Sequence, residues 1–265
     1  MRKYMRPMLN VAIRIIRIIG DFIIKNYETQ TTNIFNKEIN INIFIEKINK
    51  NIKNIILQSF LSIYSKKIIV LNTKGLFIFK YNKTQWILNP LDGIINFIKK
   101  IPHFSISIAI CIKNKTEISL IYDPLKNDLF TAIRGQDAQL NGYRLRCNNY
   151  LNNKNLLFAI NENFILDKNI NINLIKLFIK NSISFRISGS LALDLAYLAS
   201  NKINCYISND IINFNKFLAG ELMIKESGGL ITDFLGNYNY KYSQNILAGN
   251  STIIKFVISQ IKNIK

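Results

Sequence analysis

Cysteine and histidine are scarce in this sequence of 265 residues, which contains three cysteines and one histidine. Cys111, Cys147 and Cys205 are far apart and odd in number, which excludes the paired spacing of a zinc ribbon or a redox dithiol. We expect three buried thiols and a protein of the reducing cytoplasm. The one histidine, His103, has no serine or aspartate at a spacing that indicates catalysis, so we expect a structural role for it.

Long apolar runs are also missing, although 49% of the residues are hydrophobic. Charged residues interrupt every such run within the roughly 18 residues that a membrane-spanning helix needs. The first run, Val11 to Ile24, contains Arg14 and Arg17, so it lacks the apolar block of a signal peptide and is typical of an amphipathic helix. We therefore expect no membrane partner.

Acidic residues are few, since 16 aspartates and glutamates stand against 35 lysines and arginines, a net charge of +19. Such a charge is typical of proteins that bind nucleic acid or anionic membranes. Isoleucine, asparagine and lysine, however, number 52, 37 and 27, and all three have codons rich in A and T. Mutational drift that converts Asp to Asn and Glu to Lys is therefore an alternative source of the charge. We expect lysine-rich stretches such as Lys47 to Lys53 to be solvated surface.

Hydrophobic periodicity predicts two long helices followed by an antiparallel sheet. Apolar residues recur at helical spacing from Met8 to Asn26 and from about Ile45 to Ile63. From Phe104 to Ile110 they alternate with serine and alanine, which is the period of a half-buried strand. Further strands are predicted at Ile118 to Tyr122, Leu129 to Ile133 and Tyr143 to Arg146, the last after an Asn141-Gly142 turn.

The C-terminal part predicts helices that alternate with strands. Ser188 is placed to cap a helix that runs to about Ser200, and a second helix, about Phe217 to Ser227, ends at a glycine pair. Strands are predicted at Ile203 to Ile207 and at Leu230 to Phe234. The chain has no linker rich in proline or glycine and no internal repeat. We therefore expect one domain over residues 1–265, with subdomains at about 1–150 and 151–265.

One segment carries a recognisable motif, because Trp86 to Phe97 reads W-I-L-N-P-L-D-G-I-I-N-F and is followed by Pro102-His103-Phe104. It resembles the D-P-[IL]-D-G-T-T-N-F metal-binding signature of the inositol monophosphatase family. The resemblance covers nearly the whole chain. Other matching segments are Pro7 to Asn10, Asn26 to Thr29, Tyr122 to Pro124, Phe130 to Ala132, Ala138 to Gly142, Gly189-Ser190, Leu193 to Ala196, Ala219 to Glu221, Glu226 to Gly229 and Thr232 to Phe234.

The resemblance implies an α/β (α+β) fold, a layered αβαβα sandwich of the sugar-phosphatase type. In it, an N-terminal helix pair covers a mainly antiparallel sheet, and the C-terminal half is α/β. The resemblance also implies a Mg²⁺ cofactor. In this family aspartates and glutamates hold two or three Mg²⁺ ions, which activate a water, often with a threonine, and neutralise the phosphate of an inositol ester.

The family's metal and catalytic residues are mostly replaced at the positions that match them. The second aspartate of the signature is Asp92, and Leu91 offers the backbone carbonyl that the family uses. The replaced positions are Asn89 for the first aspartate, Ile94 for the threonine, Asn72 for an upstream glutamate, Asn49 for the aspartate of a Thr-x-x-Asp motif, Asn215 for the aspartate before Ala-Gly-Glu, and Ser208 for a glutamate that contacts the inositol ring.

Each amide in place of a carboxylate removes a full negative charge at contact distance from the ion. A single Asp92 among amides should not hold two Mg²⁺ ions, so we expect Mg²⁺ to be absent or weakly bound. Asp92 has a second interpretation, as a turn residue before Gly93 whose carboxylate accepts backbone N–H groups. Gly93, Gly189 and Ser190 match the lining of the family's substrate pocket, and we expect the shape of that pocket to persist without its chemistry.

Asp194 and Glu221 lie in helical segments among apolar residues, which indicates structural or interface roles. Among family members the chain looks most like a bacterial one that also joins NusA and RNA polymerase in the ribosomal RNA transcription antitermination complex, and that supports ribosome assembly. This resemblance implies an interaction protein of the Nus-factor type. We favour that function, because the scaffold matches and the metal ligands do not.

Two other functions compete with it. A Mg²⁺-dependent inositol-1-monophosphatase is the alternative, if Asn72 and Asn49 are misaligned in the low-complexity regions. A general nucleic-acid binder is third, because the charge is not accompanied by a basic patch interleaved with aromatic residues. Whether the family's homodimer forms, and whether RNA contacts the basic faces, stay open.

Overall fold

The computed structural model of the chain describes residues 2–29, 38–61, 69–73, 76–81, 83–147, 155–161, 168–209, 213–243 and 245–264. The helices are α1 (Arg2–Thr29), α2 (Glu38–Leu61), α3 (Ile94–Ile98), α4 (Lys168–Lys180), α5 (Leu191–Ala199), α6 (Phe214–Glu226), α7 (Tyr240–Ser243) and α8 (Ser251–Ile264). The strands are β1 (Ile69–Thr73), β2 (Leu76–Tyr81), β3 (Thr84–Asp92), β4 (Ser105–Ile112), β5 (Lys115–Asp123), β6 (Asp128–Ile133), β7 (Ala138–Leu140), β8 (Tyr143–Arg144), β9 (Leu157–Ile160), β10 (Ser184–Arg186), β11 (Cys205–Ser208), β12 (Leu230–Thr232) and β13 (Ile246–Gly249).

The first sheet contains β1 to β8 in sequence order, and each strand pairs antiparallel with the next. This confirms the predicted antiparallel sheet. The alternation in β4 predicts one exposed face, and that prediction is wrong, because the strand is buried on both faces up to its last residue. Ile106, Ile108 and Ile110 pack with α1 and α2, whereas Ala109 packs with α5 and α6. The serine and alanine face is therefore covered by helices instead of water.

The second sheet has the order β10-β9-β11-β13-β12. β9 is parallel to β10 and β11, whereas β13 is antiparallel to β11 and β12. Three clusters of buried apolar side chains fill the spaces between the layers. The first lies between α1, α2 and the first sheet, the second joins that sheet to α5, α6 and the second sheet, and the third lies between the second sheet and α4 and α8. The layered αβαβα sandwich is therefore confirmed.

The two N-terminal helices are amphipathic, as predicted. α1 buries Ala12, Ile15, Ile16 and Ile19, which recur at helical spacing on one face. In α2 the isoleucines at positions 48, 52 and 56 are buried, while the lysines at 47, 50 and 53 are exposed. The expectation that Lys47 to Lys53 is solvated surface is therefore confirmed for its lysines. Within the described residues, the structure has no helix that is both long and apolar enough to cross a membrane.

Two helix starts differ from the predictions for reasons that involve capping. α6 begins three residues before Phe217, because Asn213 Oδ1 accepts a hydrogen bond from Asn215 N at 3.1 Å. α5 has Ser190 as its N-cap residue, whereas the Ser188 hydroxyl donates to Asp194 Oδ2 at 2.6 Å. Of the predicted strands, the one at 203–207 forms two residues later, as β11, and the one at 230–234 ends at Thr232, as β12.

The close approach of α5 and α6 depends on Gly220. A Cβ atom at Gly220 would lie 2.2 Å from Cδ1 of Leu195, so any side chain there would force the two helices apart. Both helices have their N-terminal ends near the end of β3, because the amide of Ala192 and the charge of Lys216 both act on Asp92. The helix packing therefore sets the geometry of the site.

Candidate functional site

Asp92 is the last residue of β3, and its buried carboxylate accepts hydrogen bonds at both oxygens. Oδ2 accepts from Ser190 Oγ at 2.7 Å and from Ala192 N at 2.8 Å, and Oδ1 accepts from Asn89 Nδ2 at 3.3 Å. Burial raises the pKa of Asp92, although these three donors and the charge of Lys216 oppose the shift. Asp92, at the end of β3, thus caps the N-terminus of α5. The dipole of the helix favours a negative charge at this end.

Two glycines with left-handed backbone shape the turns on either side of Asp92. Gly93 has φ +85°, and a Cβ atom there would lie 2.9 Å from His103 O. Gly189 has φ +75°, and its Cβ would lie 3.3 Å from Asn96 Nδ2. That same amide nitrogen donates to His103 O and to Ser188 O, both at 2.7 Å. The structure therefore brings the predicted pocket positions Gly93, Gly189 and Ser190 together around Asp92.

The signature positions next to Asp92 fall into different environments. Asn89 is buried and contacts Asp92 directly, and Leu91 is also buried. Ile94 is the first residue of α3 and is 39% exposed. Asn215 is half-buried in the first turn of α6, next to the lysine whose charge acts on Asp92. The structure thus places Asn89 against Asp92 and the beginning of α6 close by.

The upstream positions lie on other elements. Asn72 in β1 pairs with Phe77, which pairs with Leu88, the residue before Asn89. Two strand spacings put the backbone of β1 about 10 Å from β3. Asn49 is half-buried in α2, whose apolar side packs on the same sheet. Ser208, at the end of β11, is fully buried. Asn72 therefore lies two strands away from the signature, whereas Asn49 lies on a helix that covers the same sheet.

Asp194 belongs to the same hydrogen-bond network as Asp92, through Ser188 and Ser190. The sequence alone does not predict this. Its Oδ2 accepts from Ser188, while its Oδ1 has no hydrogen bond and lies 3.9 Å from Nε of Arg186. Burial raises the pKa of Asp194 to about 7, and the charge of Asp92 contributes to that shift. The sequence holds one indication of this, because Asp194 follows Ser190 by one helical turn and so lies on the same helix face.

His103 lies on the other side of Arg186, with its Nε2 3.2 Å from Arg186 Nη2. Burial, together with the charges of Arg186 and Lys126, lowers the pKa of His103 to about 4, and Asp123 opposes this shift. Its ring also lies 5.9 Å from that of Tyr197. These contacts support the structural role predicted for this residue.

The opposite shifts of His103 and Asp194 predict opposing pH dependences. Asp194 moves from 3.8 to about 7, so its pKa shift favours the folded state below about pH 4 and this stability is lost as the pH rises to 7. His103 moves from 6.5 to about 4, so its contribution is present above pH 6.5 and is lost as the pH falls towards 4.

We therefore expect Asp194→Asn to become more stable with rising pH over this window, relative to the parent protein, and His103→Gln to become less stable. Relative to the parent protein, each substitution should change the slope of stability against pH by at most about 1.4 kcal/mol per pH unit, and the change for His103→Gln should be the smaller because His103 is only partly buried. Urea unfolding midpoints across the window measure this. Parallel profiles for the parent and both variants would contradict the assignment.

Glu221 is a buried acidic residue of α6, and its carboxylate is already used within the protein. Its Oε1 accepts from Lys225 Nζ and from Tyr240 OH, both at 2.7 Å. These donors and the charge of Lys241 lower the pKa of Glu221, although burial alone would raise it. Glu221 therefore holds α7 against α6, which agrees with a structural role.

The side chains around Asp92 do not fit a cluster of Mg²⁺ ions, which need several anionic oxygen ligands. Both oxygens of Asp92 face protein donors, and Asn89 presents its amide nitrogen to that carboxylate. Within the ranges that the structure describes, there is no group of three or more His, Cys, Asp and Glu side chains that could hold a metal ion. The arrangement supplies a cap for α5 and internal hydrogen bonds for both oxygens of Asp92.

The profile of the inositol monophosphatase family matches residues 4–265. The chain belongs to this family. Among its relatives, the protein named Nus factor SuhB of Escherichia coli (strain K12) is 37% identical over 261 residues, which cover 98% of this chain and 97% of that protein. Nus factor SuhB of Buchnera aphidicola subsp. Acyrthosiphon pisum is 41% identical over 274 residues, with 97% and 98% covered.

Solved structures of inositol monophosphatase family proteins share the fold. The suhB protein of Bartonella henselae superimposes with a TM-score of 0.79 at 25% identity, covering 97% of this chain and 99% of that one. An IMPase from Thermotoga maritima has a TM-score of 0.78 at 23% identity, covering 97% and 98%. The family generally uses Mg²⁺. The donor set around Asp92 is therefore at odds with the family's usual cofactor.

Proposed function

We propose that this chain acts as a Nus-factor-like interaction protein in the ribosomal RNA transcription antitermination complex, without phosphatase activity. In this proposal it binds NusA and RNA polymerase and supports ribosome biogenesis. The observation that carries the proposal is the use of Asp92 as an internal cap for α5, where a phosphatase needs a metal ligand. The relatives named Nus factor SuhB, at 37% and 41% identity over nearly the full chain, support the choice of partners.

The scaffold of this chain resembles its relatives more closely than its site does, which supports the proposal. The fold matches solved relatives over 97% of the chain. Asn89, Asn215 and Asn72, by contrast, carry amides where we infer that the family has carboxylates. A partner surface depends on the shape and chemistry of the exterior, so it survives the loss of ions from a buried site.

Binding to purified NusA tests the partner assignment. We expect a complex at physiological salt that persists at about 0.5 M salt, where screening over a few ångströms removes most long-range attraction. Chelator and added Mg²⁺ should leave the dissociation constant unchanged, because the surface does not use the metal site. The control is an unrelated acidic protein, similar to NusA in size and charge, in place of NusA.

The net charge of +19 provides the competing explanation for any binding. Binding that disappears at the higher salt and also occurs with the acidic control would mark the complex as nonspecific. The antitermination proposal would then have to be abandoned. Binding that requires Mg²⁺ would contradict the proposal that the interaction is independent of the metal site.

A further inference from the structure

A second pocket lies at the opposite end of β3 from Asp92, and we call it the hairpin pocket. It has a volume of about 360 Å³. Thr84, at the beginning of β3, lines it, whereas Asp92 ends the same strand. Eight residue steps at strand spacing separate the two ends by about 26 Å. The hairpin pocket is lined chiefly by Lys80, Lys83, Lys113, Thr84, Gln85 and Cys111.

The lysines come from two hairpins that are held together. Lys80 pairs with Gln85, and Gln85 pairs with Cys111, so these side chains form one row on the same face of three neighbouring strands. Lys113 N donates to Lys83 O at 3.1 Å, which joins the two turns. The row and the joined turns belong to the same antiparallel sheet, so the pairing of its strands sets where the three lysines lie.

The three lysines keep their charge available for a ligand. Within the described residues, no carboxylate oxygen lies within 4.0 Å of Lys80, Lys83 or Lys113 among the ion pairs of the structure. All three side chains are exposed to solvent. Charges that have no internal partner and converge on one cavity create a positive potential there.

The buried carboxylate of Glu221, which acts on Cys111 in the pocket wall, does not cancel this potential. Glu221 acts on the pKa of Cys111, so its charge reaches the pocket. Glu221 is, however, paired with Lys225 at 2.7 Å, and Lys241 lies 3.9 Å from it. Lys241 also acts on Cys111, with the opposite sign. The buried wall of the pocket therefore adds little negative charge.

We propose that the hairpin pocket binds phosphate groups. Lysine ammonium groups are common phosphate ligands because they act as compact point charges. Gln85 adds an amide donor beside Lys80, Lys83 and Lys113. An RNA strand and a free phosphate compound both present this chemistry. The proposal does not rest on the antitermination function, since it is argued only from the lining and the charges of the pocket.

Two triple variants test the site with the same loss of charge. The pocket variant carries Lys80→Gln, Lys83→Gln and Lys113→Gln. The control carries Lys176→Gln, Lys180→Gln and Lys255→Gln, three exposed positions on α4 and α8. The probes are a fluorescent single-stranded oligouridylate, followed by anisotropy from low to physiological salt, and inorganic pyrophosphate, followed by calorimetry. Unchanged unfolding curves establish that both variants are folded.

We expect the pocket variant to bind at least one probe about tenfold more weakly, and the control variant to bind it within about twofold of the parent, since charge at the site matters more than total charge. For RNA, the slope of log affinity against log salt should fall by about 2, since each lysine contact to a single strand contributes about 0.7. If the pocket variant loses affinity for the oligouridylate, RNA is the source of the phosphate. If it loses affinity for pyrophosphate alone, the source is a free phosphate compound. Equal weakening by both variants, or no weakening by the pocket variant with either probe, would overturn the proposal.

Discussion

Inositol 1-phosphate incubated with this protein and millimolar Mg²⁺ should release phosphate no faster than the protein-free control. Hydrolysis of a phosphate ester needs ions that activate water and neutralise the developing charge. Here Asn89 and Asn215 supply neutral amides, and Asp92 is already bonded to Ser190 and Ala192. Ordinary enzymes turn over about 10 times per second, so the expected deficit is several orders of magnitude.

A restoring set of substitutions tests the cause of that deficit. The restoring set is Asn49→Asp, Asn72→Glu, Asn89→Asp, Ile94→Thr and Asn215→Asp. A variant that carries the whole set should regain Mg²⁺ binding. A variant with only one of the substitutions should bind Mg²⁺ little better than the parent, because metal ligands act as a unit. A control with aspartates at four exposed asparagines, including Asn181 and Asn201, adds the same charge away from the site. Turnover of about 1 per second or more by the unmodified chain would refute the prediction.

Asp92→Ala should destabilise the fold by about 3 to 5 kcal/mol. The substitution removes three hydrogen bonds and leaves the buried Ser190 hydroxyl and the Ala192 amide without their acceptor. A residue kept only for metal binding behaves in the opposite way, since removing an uncompensated buried acid stabilises a protein or leaves it unchanged. Urea unfolding at neutral pH separates the two cases.

Two further variants calibrate this measurement. Asp92→Asn keeps an oxygen for Ser190 and Ala192, so its loss should be smaller, about 1 to 2 kcal/mol. Asp21→Ala, at an exposed position of α1, should change stability by less than about 0.5 kcal/mol. If Asp92→Ala is as stable as the parent, the capping role is wrong.

Local patterns in the sequence predict the elements better than they predict the contacts. The spacing of Ile15, Ile16 and Ile19 is enough to predict α1, because one helix face determines it. The alternation in β4 predicts the strand but not its burial on both faces, which depends on helices α5 and α6 from far along the chain. Periodicity describes one element, whereas burial depends on every layer that covers it.

Local sequence patterns also fail to predict the contacts of the site. The family signature identifies Asp92 and Asn89, which are three residues apart. It does not indicate that Asp92 bonds to Ala192, 100 residues away, because no local pattern encodes that meeting. The hairpin pocket was also not predicted, since Lys80 and Lys113 approach each other only through the pairing of three strands.

A calorimetric titration of Mg²⁺ into the unmodified protein tests whether Asp92 serves the fold and not a metal cluster. We expect no saturable heat up to about 10 mM Mg²⁺ and no rise in the unfolding temperature, because a ligand stabilises a fold only when it binds to it. A saturable isotherm that disappears in Asp92→Asn, together with a higher unfolding temperature in Mg²⁺, would show that Asp92 is a metal ligand.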